Sequence, residues 1–369
     1  MSYVYYLKRL FHLTPKYDQS LIIRNVAYFS GSDAHTNNKL DIFLPCPNTN
    51  LSIRTADEQQ ATSKKQIPII VHIHGGGWVR GNRTDEWRGG PIVGRTCAHE
   101  GFVGIVASYR LARISLISFI AWSFVFGLVV IIIGLSLLSW QFITGYVAFM
   151  TFAYAYNFLY RVRIPVNVEH VSELVINAKK KRQMMDDLCR VLVYIRDHIN
   201  DYCPDADPNQ IFLSGHSAGA HLVSLLVLDK SHLRRYEFPL SIIRGVISMS
   251  GIYSLANPVH DSKNNIRNLI FLIFYSNNLL YPEGKQMTEY SPIEYIKQDE
   301  EIPPFLVMSA RFDMGLEIDA KRFVEKLQNY QHSVDYVTVN STHGTIATKF
   351  AKNDAHKHFF TFIRQHMNY

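Results

Sequence analysis

The sequence of 369 residues has little cysteine. The four cysteines are Cys46, Cys97, Cys189 and Cys203. They have neither the paired spacing of a zinc site nor the density of a disulfide framework, so we expect reduced thiols and no metal or other cofactor. The net charge of +7 is scattered except at residues 179–182, KKKR, which are typical of a solvated helix face. No nucleic-acid partner is expected.

Charge is missing altogether from Ile114 to Tyr160, a run of 47 residues. One transmembrane helix needs about 20 apolar residues, so the run is long enough for two. A break at residues 139–141, SWQ, predicts spans near 114–138 and 142–160, and basic residues on both flanks place both ends in the cytosol. We therefore predict a multi-pass protein of the endoplasmic reticulum or Golgi membrane. The alternative is a buried helical hairpin.

Elsewhere, short apolar segments alternate with helical stretches. The predicted strands are 69–74, 102–108, 210–214, 245–250, 305–309 and 334–339, and the predicted helices are 182–200, 218–229, 318–330 and 346–366. This alternation predicts an α/β domain with a mostly parallel sheet and helices on both faces. We predict that residues 1–39 form a separate N-terminal segment suited to a membrane surface. The α/β domain then covers 40–369, with the hairpin of 114–160 inserted.

The segment 214–220, SGHSAGA, contains the pattern G-x-S-x-G directly after a predicted strand. A sharp strand-to-helix turn needs small residues two before and two after the serine, and it exposes the serine hydroxyl above the sheet. Gly215 and Gly219 meet this requirement around Ser217. The alternative is a glycine-rich turn with an ordinary helix-capping serine. Ser217 is the candidate nucleophile.

A serine nucleophile needs a histidine base and an orienting carboxylate. In this type of turn the acid and then the histidine follow at the ends of later strands. Asp313 follows the predicted strand 305–309, and His343 follows the strand 334–339. The competing residues are Glu317, Asp319, His356 and His358. Both competing histidines fall inside a predicted helix, so His343 is preferred as the base. Asp313 is chosen as the acid because it lies just past the strand end, with Glu317 and Asp319 as alternatives.

Residues 72–78 read HIHGGGW and follow an apolar strand. A phosphate-binding loop would continue with Lys-Ser or Lys-Thr, and a dinucleotide loop would space its glycines as G-x-G-x-x-G. Contiguous glycines after an early strand match the oxyanion motif of lipases and esterases. Each backbone N–H donor of such a motif lowers a barrier by about 3 kcal/mol. Gly76, Gly77 and the amide of Ala218 are the candidate donors.

Six motifs together resemble the α/β-hydrolase superfamily, in the group of hormone-sensitive-lipase-like esterases. They are HGGGW at 74–78, SYR at 108–110, DDL at 186–188, GHSAG at 215–219, SARFD at 309–313 and STHG at 341–344. Within that group the chain is similar to the prenylcysteine methylesterase family, over roughly 40–369 apart from the hairpin. The resemblance implies an α/β-hydrolase fold and a serine carboxylester hydrolase that acts through an acyl-enzyme.

The resemblance also implies roles for single residues. Ser217 would be the nucleophile, His343 the base and acid, and Asp313 the orienting carboxylate. Gly76, Gly77 and Ala218 would donate to the oxyanion, with Gly75 as an alternative donor. Gly75, Trp78 and His216 would contact substrate, with Trp78 lining or bracing the pocket; no metal ligand is implied. The chain departs from many relatives after Tyr109 and Arg110, where it continues with Leu-Ala-Arg and the apolar run.

The expected substrate is a lipid-like ester such as a prenylcysteine methyl ester. The apolar run begins at the carboxyl end of a strand, the side on which open α/β sheets bind ligands, so the pocket is expected to face the membrane. The apolar residues of a predicted cap are Leu255, Ile270, Phe271, Leu272 and Phe274. The alternatives are an acylglycerol or xenobiotic esterase, an arylformamide hydrolase, and a membrane-anchored receptor or scaffold without turnover.

Overall fold

A computed structural model describes residues 21–45, 66–78, 80–111, 144, 145, 147, 176–255 and 288–367. These residues build one eight-stranded sheet with the strand order β1-β2-β4-β3-β5-β6-β7-β8. The strands are β1 Ile22–Ala27, β2 Lys39–Phe43, β3 Ile67–Ile73, β4 Val103–Ala107, β5 Ala206–His216, β6 Ile243–Met249, β7 Phe305–Phe312 and β8 Val334–Thr342. β2 pairs antiparallel with both β1 and β4, and all neighbours from β4 to β8 are parallel.

Helices connect the parallel strands. They are α1 Gly90–His99, α2 Ile176–Tyr202, α3 Ala218–Leu228, α4 Ser231–Arg235, α5 Leu316–Asn329, α6 Thr345–Thr348 and α7 Asp354–His366. Short 3₁₀ helices cover Glu86–Arg88, Leu240–Ile242, Thr288–Tyr290, Pro292–Tyr295 and Phe350–Lys352. The alternation of strand and helix agrees with the sequence-based prediction.

Apolar side chains fill the space on both faces of the sheet. Successive residues of a strand point to opposite faces. Accordingly Ile69 and Val71 join a cluster with residues of α2, α3 and α5, while Ile70 joins a second cluster with residues of α1 and α7. Every residue of β3 is buried, as expected of a central parallel strand. The molecule therefore has three layers, and the predicted helices on both faces are confirmed.

Three local predictions differ from the structure. The sheet begins at Ile22 in β1, before the predicted domain start at residue 40; residues 1–20 lie outside the described part of the chain. β1 and β2 were absent from the predicted strands. The predicted helix 346–366 is divided into α6, a 3₁₀ turn and α7, because the Asn353 side chain accepts a hydrogen bond from the Ala355 amide and caps a new helix.

The predicted transmembrane hairpin needs correction. Across the residues that the structure describes, no helix combines the length and the apolar character needed to cross a bilayer. The predicted multi-pass location in the endoplasmic reticulum or Golgi is corrected with it. A charge-free run shows that ionised side chains are missing, whereas a span requires a continuous apolar helix of about 20 residues. Apart from Thr144, Gly145 and Val147, residues 114–160 lie outside the described residues.

Candidate active site

The turn between β5 and α3 holds Ser217 in an unusual backbone conformation, with φ 53° and ψ −117°. The Ser217 amide donates to the Met249 carbonyl at 2.9 Å, which ties the turn to β6. A Cβ atom on Gly219 would lie 2.1 Å from the Ile73 carbonyl oxygen, and one on Gly215 would lie 2.4 Å from Gly219. Both flanking positions therefore require glycine, which is the physical reason for the spacing in the sequence.

Three polar side chains meet at the carboxyl ends of β5, β7 and β8. The Ser217 hydroxyl lies 3.0 Å from His343 Nε2, and His343 Nδ1 lies 2.7 Å from Asp313 Oδ1. The second carboxylate oxygen of Asp313 accepts from the Ala310 amide at 3.1 Å. Because an ionised carboxylate only accepts, Nδ1 carries the imidazole proton and Nε2 is left to accept from the serine. The structure thus brings together the three residues selected from the sequence.

The competing acid and base lie in other contacts. Asp319, on α5, accepts from the amides of Tyr253 and Ser254 at 2.7 and 3.1 Å. His356, on α7, lies 3.1 Å from Glu100. Glu317 is in the first turn of α5 and His358 is on α7. These contacts favour Asp313 and His343 as the partners of Ser217.

The glycine loop after β3 lies over the nucleophile. Gly76 and Gly77 have φ values of 132° and 59°, which favour glycine. A Cβ on Gly76 would lie 1.9 Å from the Arg80 carbonyl oxygen, and one on Gly75 would lie 3.2 Å from Ser217 Cβ. Ala218 is the first residue of α3, where amides have no acceptor within the helix. Gly75 of the loop and Ala218 at the helix start therefore lie beside Ser217.

His74 and Tyr109 support the glycine loop from within the core. His74 Nδ1–H donates to the Gly75 carbonyl at 2.8 Å, and its ring stacks on Tyr109 with centroids 4.6 Å apart. The Tyr109 hydroxyl donates to the His74 carbonyl at 3.2 Å. Burial lowers the pKa of His74 to about 4, so the imidazole is neutral at pH 7. The supporting role of Tyr109 was not predicted, although the SYR motif pointed to this position.

Trp78 lies between the glycine loop and α3. Its side chain is buried, with the indole N–H donating to His221 Nδ1 at 3.2 Å. His221 Nε2–H donates in turn to the Tyr290 carbonyl at 2.7 Å. Trp78 was expected to line or brace the pocket, and its hydrogen bond to His221 links the loop to α3. His221 was missed, and its signal in the sequence is its position one helical turn after Ser217.

His216, another predicted substrate contact, and Leu255 of the predicted cap are both buried. The His216 Nε2–H donates to the His343 carbonyl at 2.7 Å, so its polar contact is with the backbone of the base. The Leu255 amide donates to Ser291 Oγ at 2.8 Å. The other predicted cap residues, Ile270, Phe271, Leu272 and Phe274, lie outside the described residues.

Comparison with known proteins identifies the family. The BD-FAE family model matches residues 58–118 and 154–327, which is more than half of the chain. The chain belongs to the BD-FAE family. Two curated relatives of this BD-FAE member are a probable isoprenylcysteine alpha-carbonyl methylesterase of Arabidopsis thaliana, 28% identical over 39% of this chain, and the probable carboxylic ester hydrolase LipM of Mycobacterium tuberculosis, 26% identical over 38%. The matches cover 32% and 33% of those relatives.

Solved structures show the fold of this BD-FAE protein. Esterase B of Lactobacillus rhamnosis is similar over 98% of this chain and 90% of its own, with a TM-score of 0.58 and 12% identity. A carbohydrate esterase from gut microbiota covers 93% of this chain and 95% of its own, with a TM-score of 0.54 and 15% identity. These likenesses confirm the α/β-hydrolase fold. The predicted membership of an esterase family within that superfamily is confirmed, and the named relatives and neighbours are ester hydrolases.

Proposed function

We propose that this BD-FAE protein is a serine carboxylester hydrolase in which Ser217, His343 and Asp313 form the catalytic triad. The observation that carries the proposal is the continuous hydrogen-bonded chain from Asp313 through His343 to Ser217, with contacts of 2.7 and 3.0 Å. The secondary structure around Ser217 supports the same proposal, because this residue lies in a strained strand-to-helix turn at the carboxyl edge of a parallel sheet.

Acylation begins when Ser217 Oγ attacks the ester carbonyl while His343 Nε2 takes the hydroxyl proton. The carbonyl π electrons move onto oxygen, and the amides of Gly76, Gly77 and Ala218 stabilise that negative charge. Asp313 stabilises the imidazolium that forms on His343. The intermediate then collapses, the bond to the alcohol oxygen breaks, and His343 gives its proton to the leaving alcohol.

Deacylation repeats these steps with water as the nucleophile. His343 takes one proton from water as the hydroxide oxygen bonds to the acyl carbon. The intermediate collapses, the bond to Ser217 Oγ breaks, and the serine receives the proton back. The products are a carboxylic acid and an alcohol, and the enzyme returns to its starting state.

For the substrate we propose a lipid-like carboxylic ester such as a prenylcysteine methyl ester. The support is the similarity to the Arabidopsis relative, whose name gives an isoprenylcysteine alpha-carbonyl methylesterase activity, together with the motifs shared with that family. Gly75 and Trp78 remain proposed substrate contacts, because Gly75 lies against Ser217 and Trp78 directly follows the proposed oxyanion glycines.

Two measurements test the proposal. A fluorophosphonate probe is expected to label the wild-type protein and not the Ser217→Ala variant, in which hydrolysis should fall by about 10⁴-fold or more. A panel of p-nitrophenyl esters of increasing chain length, measured beside farnesylcysteine methyl ester, then ranks substrates by kcat/KM. Folded wild-type protein that neither reacts with the probe nor hydrolyses any ester would contradict the activity. A preference for acetyl esters over the farnesyl substrate would contradict the lipid-like substrate alone.

A further inference from the structure

The backbone of His343 is held from two sides. Its amide donates to the Phe312 carbonyl at 3.1 Å, and its carbonyl accepts from His216 Nε2–H at 2.7 Å. Phe312 directly precedes Asp313, and His216 directly precedes Ser217. The peptide groups on either side of the base are therefore attached to the strand of the acid and to the strand of the nucleophile.

The hydrogen bond from His216 holds His343, which lies in the connection between β8 and α6. His343 follows the end of β8, and α6 begins at Thr345. A Cβ added to the intervening Gly344 would have open space around it. The imidazole is held by its side-chain contacts with Asp313 and Ser217, and the connection by hydrogen bonds between Thr342 and Thr345. The two backbone hydrogen bonds of His343 add a restraint on the main chain from which the imidazole projects. Misplacing a catalytic group by about 1 Å can reduce a rate by 10²-fold.

The protonation state of His216 allows it to donate this hydrogen bond without carrying a charge. Nε2 must carry the proton because a carbonyl oxygen only accepts. Burial lowers the pKa of His216 well below its usual range, and the nearby His343 acts in the same direction. The rings of His216 and His343 have centroids 5.1 Å apart, so a neutral His216 adds no repulsion when His343 becomes charged. The other nitrogen, Nδ1, is buried next to Gly75 and has no hydrogen-bond partner among the described residues.

We propose that His216 is a positioning residue for the base, whose Nε2–H fixes the His343 carbonyl and thereby aligns the imidazole between Ser217 and Asp313. This inference rests on the proposed function and assigns His216 a role other than the substrate contact expected from the sequence. A positioning role affects kcat, whereas a pocket contact affects KM.

A matched pair of amide variants separates the two nitrogens of His216. In His216→Gln the side-chain amide reaches the position of Nε2 and can still donate to the His343 carbonyl. In His216→Asn the shorter amide reaches only the position of Nδ1. We expect His216→Asn to lower kcat by at least about tenfold with little change in KM, and His216→Gln to keep kcat within about threefold of wild type. The rate of fluorophosphonate labelling should follow kcat.

His332→Asn is the control. His332 Nε2 makes the same kind of bond, to the Lys297 carbonyl at 2.8 Å, but it lies just before the start of β8, at the opposite end of that strand from His343. The His332→Asn substitution should leave kcat unchanged. Full activity in His216→Asn, equal loss in the two amide variants, or a change confined to KM would overturn the positioning role. Wild-type protein no more active than Ser217→Ala would instead overturn the proposed function, so the two failures are distinguishable. Thermal melting of each variant shows whether a loss of activity is a loss of fold.

Discussion

At the scale of single residues, the site depends on atoms that have only one possible hydrogen-bond role. Asp313 uses both carboxylate oxygens, one toward His343 Nδ1 and the other toward the Ala310 amide. Because the amide of Ala310 can only donate, the atom facing it must accept. This fixes the orientation of the carboxylate and, through it, the tautomer of His343.

Asp313→Asn should therefore disable the base without removing it. The asparagine oxygen is drawn to the Ala310 amide, which turns the NH₂ group toward His343 and forces the proton onto Nε2. His343 then cannot accept from Ser217, and we expect kcat to fall by about 10⁴-fold. Asp319→Asn is the matched control, because its oxygen can still accept from the amides of Tyr253 and Ser254. Steady-state kinetics of both variants measure the effect, and the reverse ranking would exchange the roles of the two acids.

At the scale of elements, the turn between β5 and α3 is built by close contact between backbones. Ser217 adopts a positive φ, a conformation that raises the energy of a non-glycine residue by roughly 1–3 kcal/mol. The turn is held by the bond from its amide to Met249 and by the approach of Gly219 to the end of β3. Its geometry is therefore a property of three neighbouring strands.

Gly219→Ala should destabilise the fold more than most substitutions of the glycines that the structure describes. The new Cβ would lie 2.1 Å from the Ile73 carbonyl, and a backbone atom of a central strand cannot easily move aside. We expect the free energy of unfolding to fall by at least about 2 kcal/mol. Gly344→Ala, at a position with φ −79° and open space, is the control and should change it by less than about 0.5 kcal/mol. Urea unfolding measures both. Equal stabilities would mean that the strand-to-helix turn relaxes freely.

The predictability of an element from sequence depended on whether its signal was local. The central parallel strands were predicted because buried strands are continuous apolar runs, as β3 shows. β2 was missed because Asp41 interrupts its apolar pattern, and only the tertiary structure buries that carboxylate, 2.8 Å from the Arg83 guanidinium. The proposed triad was predicted from order along the chain, whereas the contacts of His216 and His221 join segments distant in sequence.

At the scale of the whole molecule, the sheet buries several imidazoles at the carboxyl ends of its central strands. Burial lowers the pKa of His72 to about 3 and that of His74 to about 4. The unfolded chain therefore binds more protons than the folded chain as pH falls below about 6.5, and stability decreases with it. Glu100, whose pKa is lowered to about 2 by His356 and Arg364, contributes a similar loss only below about pH 4.5. The change in stability between pH 7.5 and pH 5 therefore depends mainly on histidines.

Acidification to pH 5 should accordingly lower the free energy of unfolding, and variants of single histidines can show how much each one contributes. A histidine that stays neutral in the folded state loses about 2 kcal/mol of stabilisation between pH 6.5 and pH 5, at about 1.4 kcal/mol per pH unit. In His72→Asn, whose amide can still reach Ser214 Oγ, the fall in unfolding free energy between pH 7.5 and pH 5 should be about 2 kcal/mol smaller than in wild type. His198→Asn, at an exposed position of α2, should keep the wild-type fall. Urea unfolding at the two pH values measures these differences, and an equal fall in wild type and His72→Asn would mean that His72 is already charged in the folded protein at pH 5.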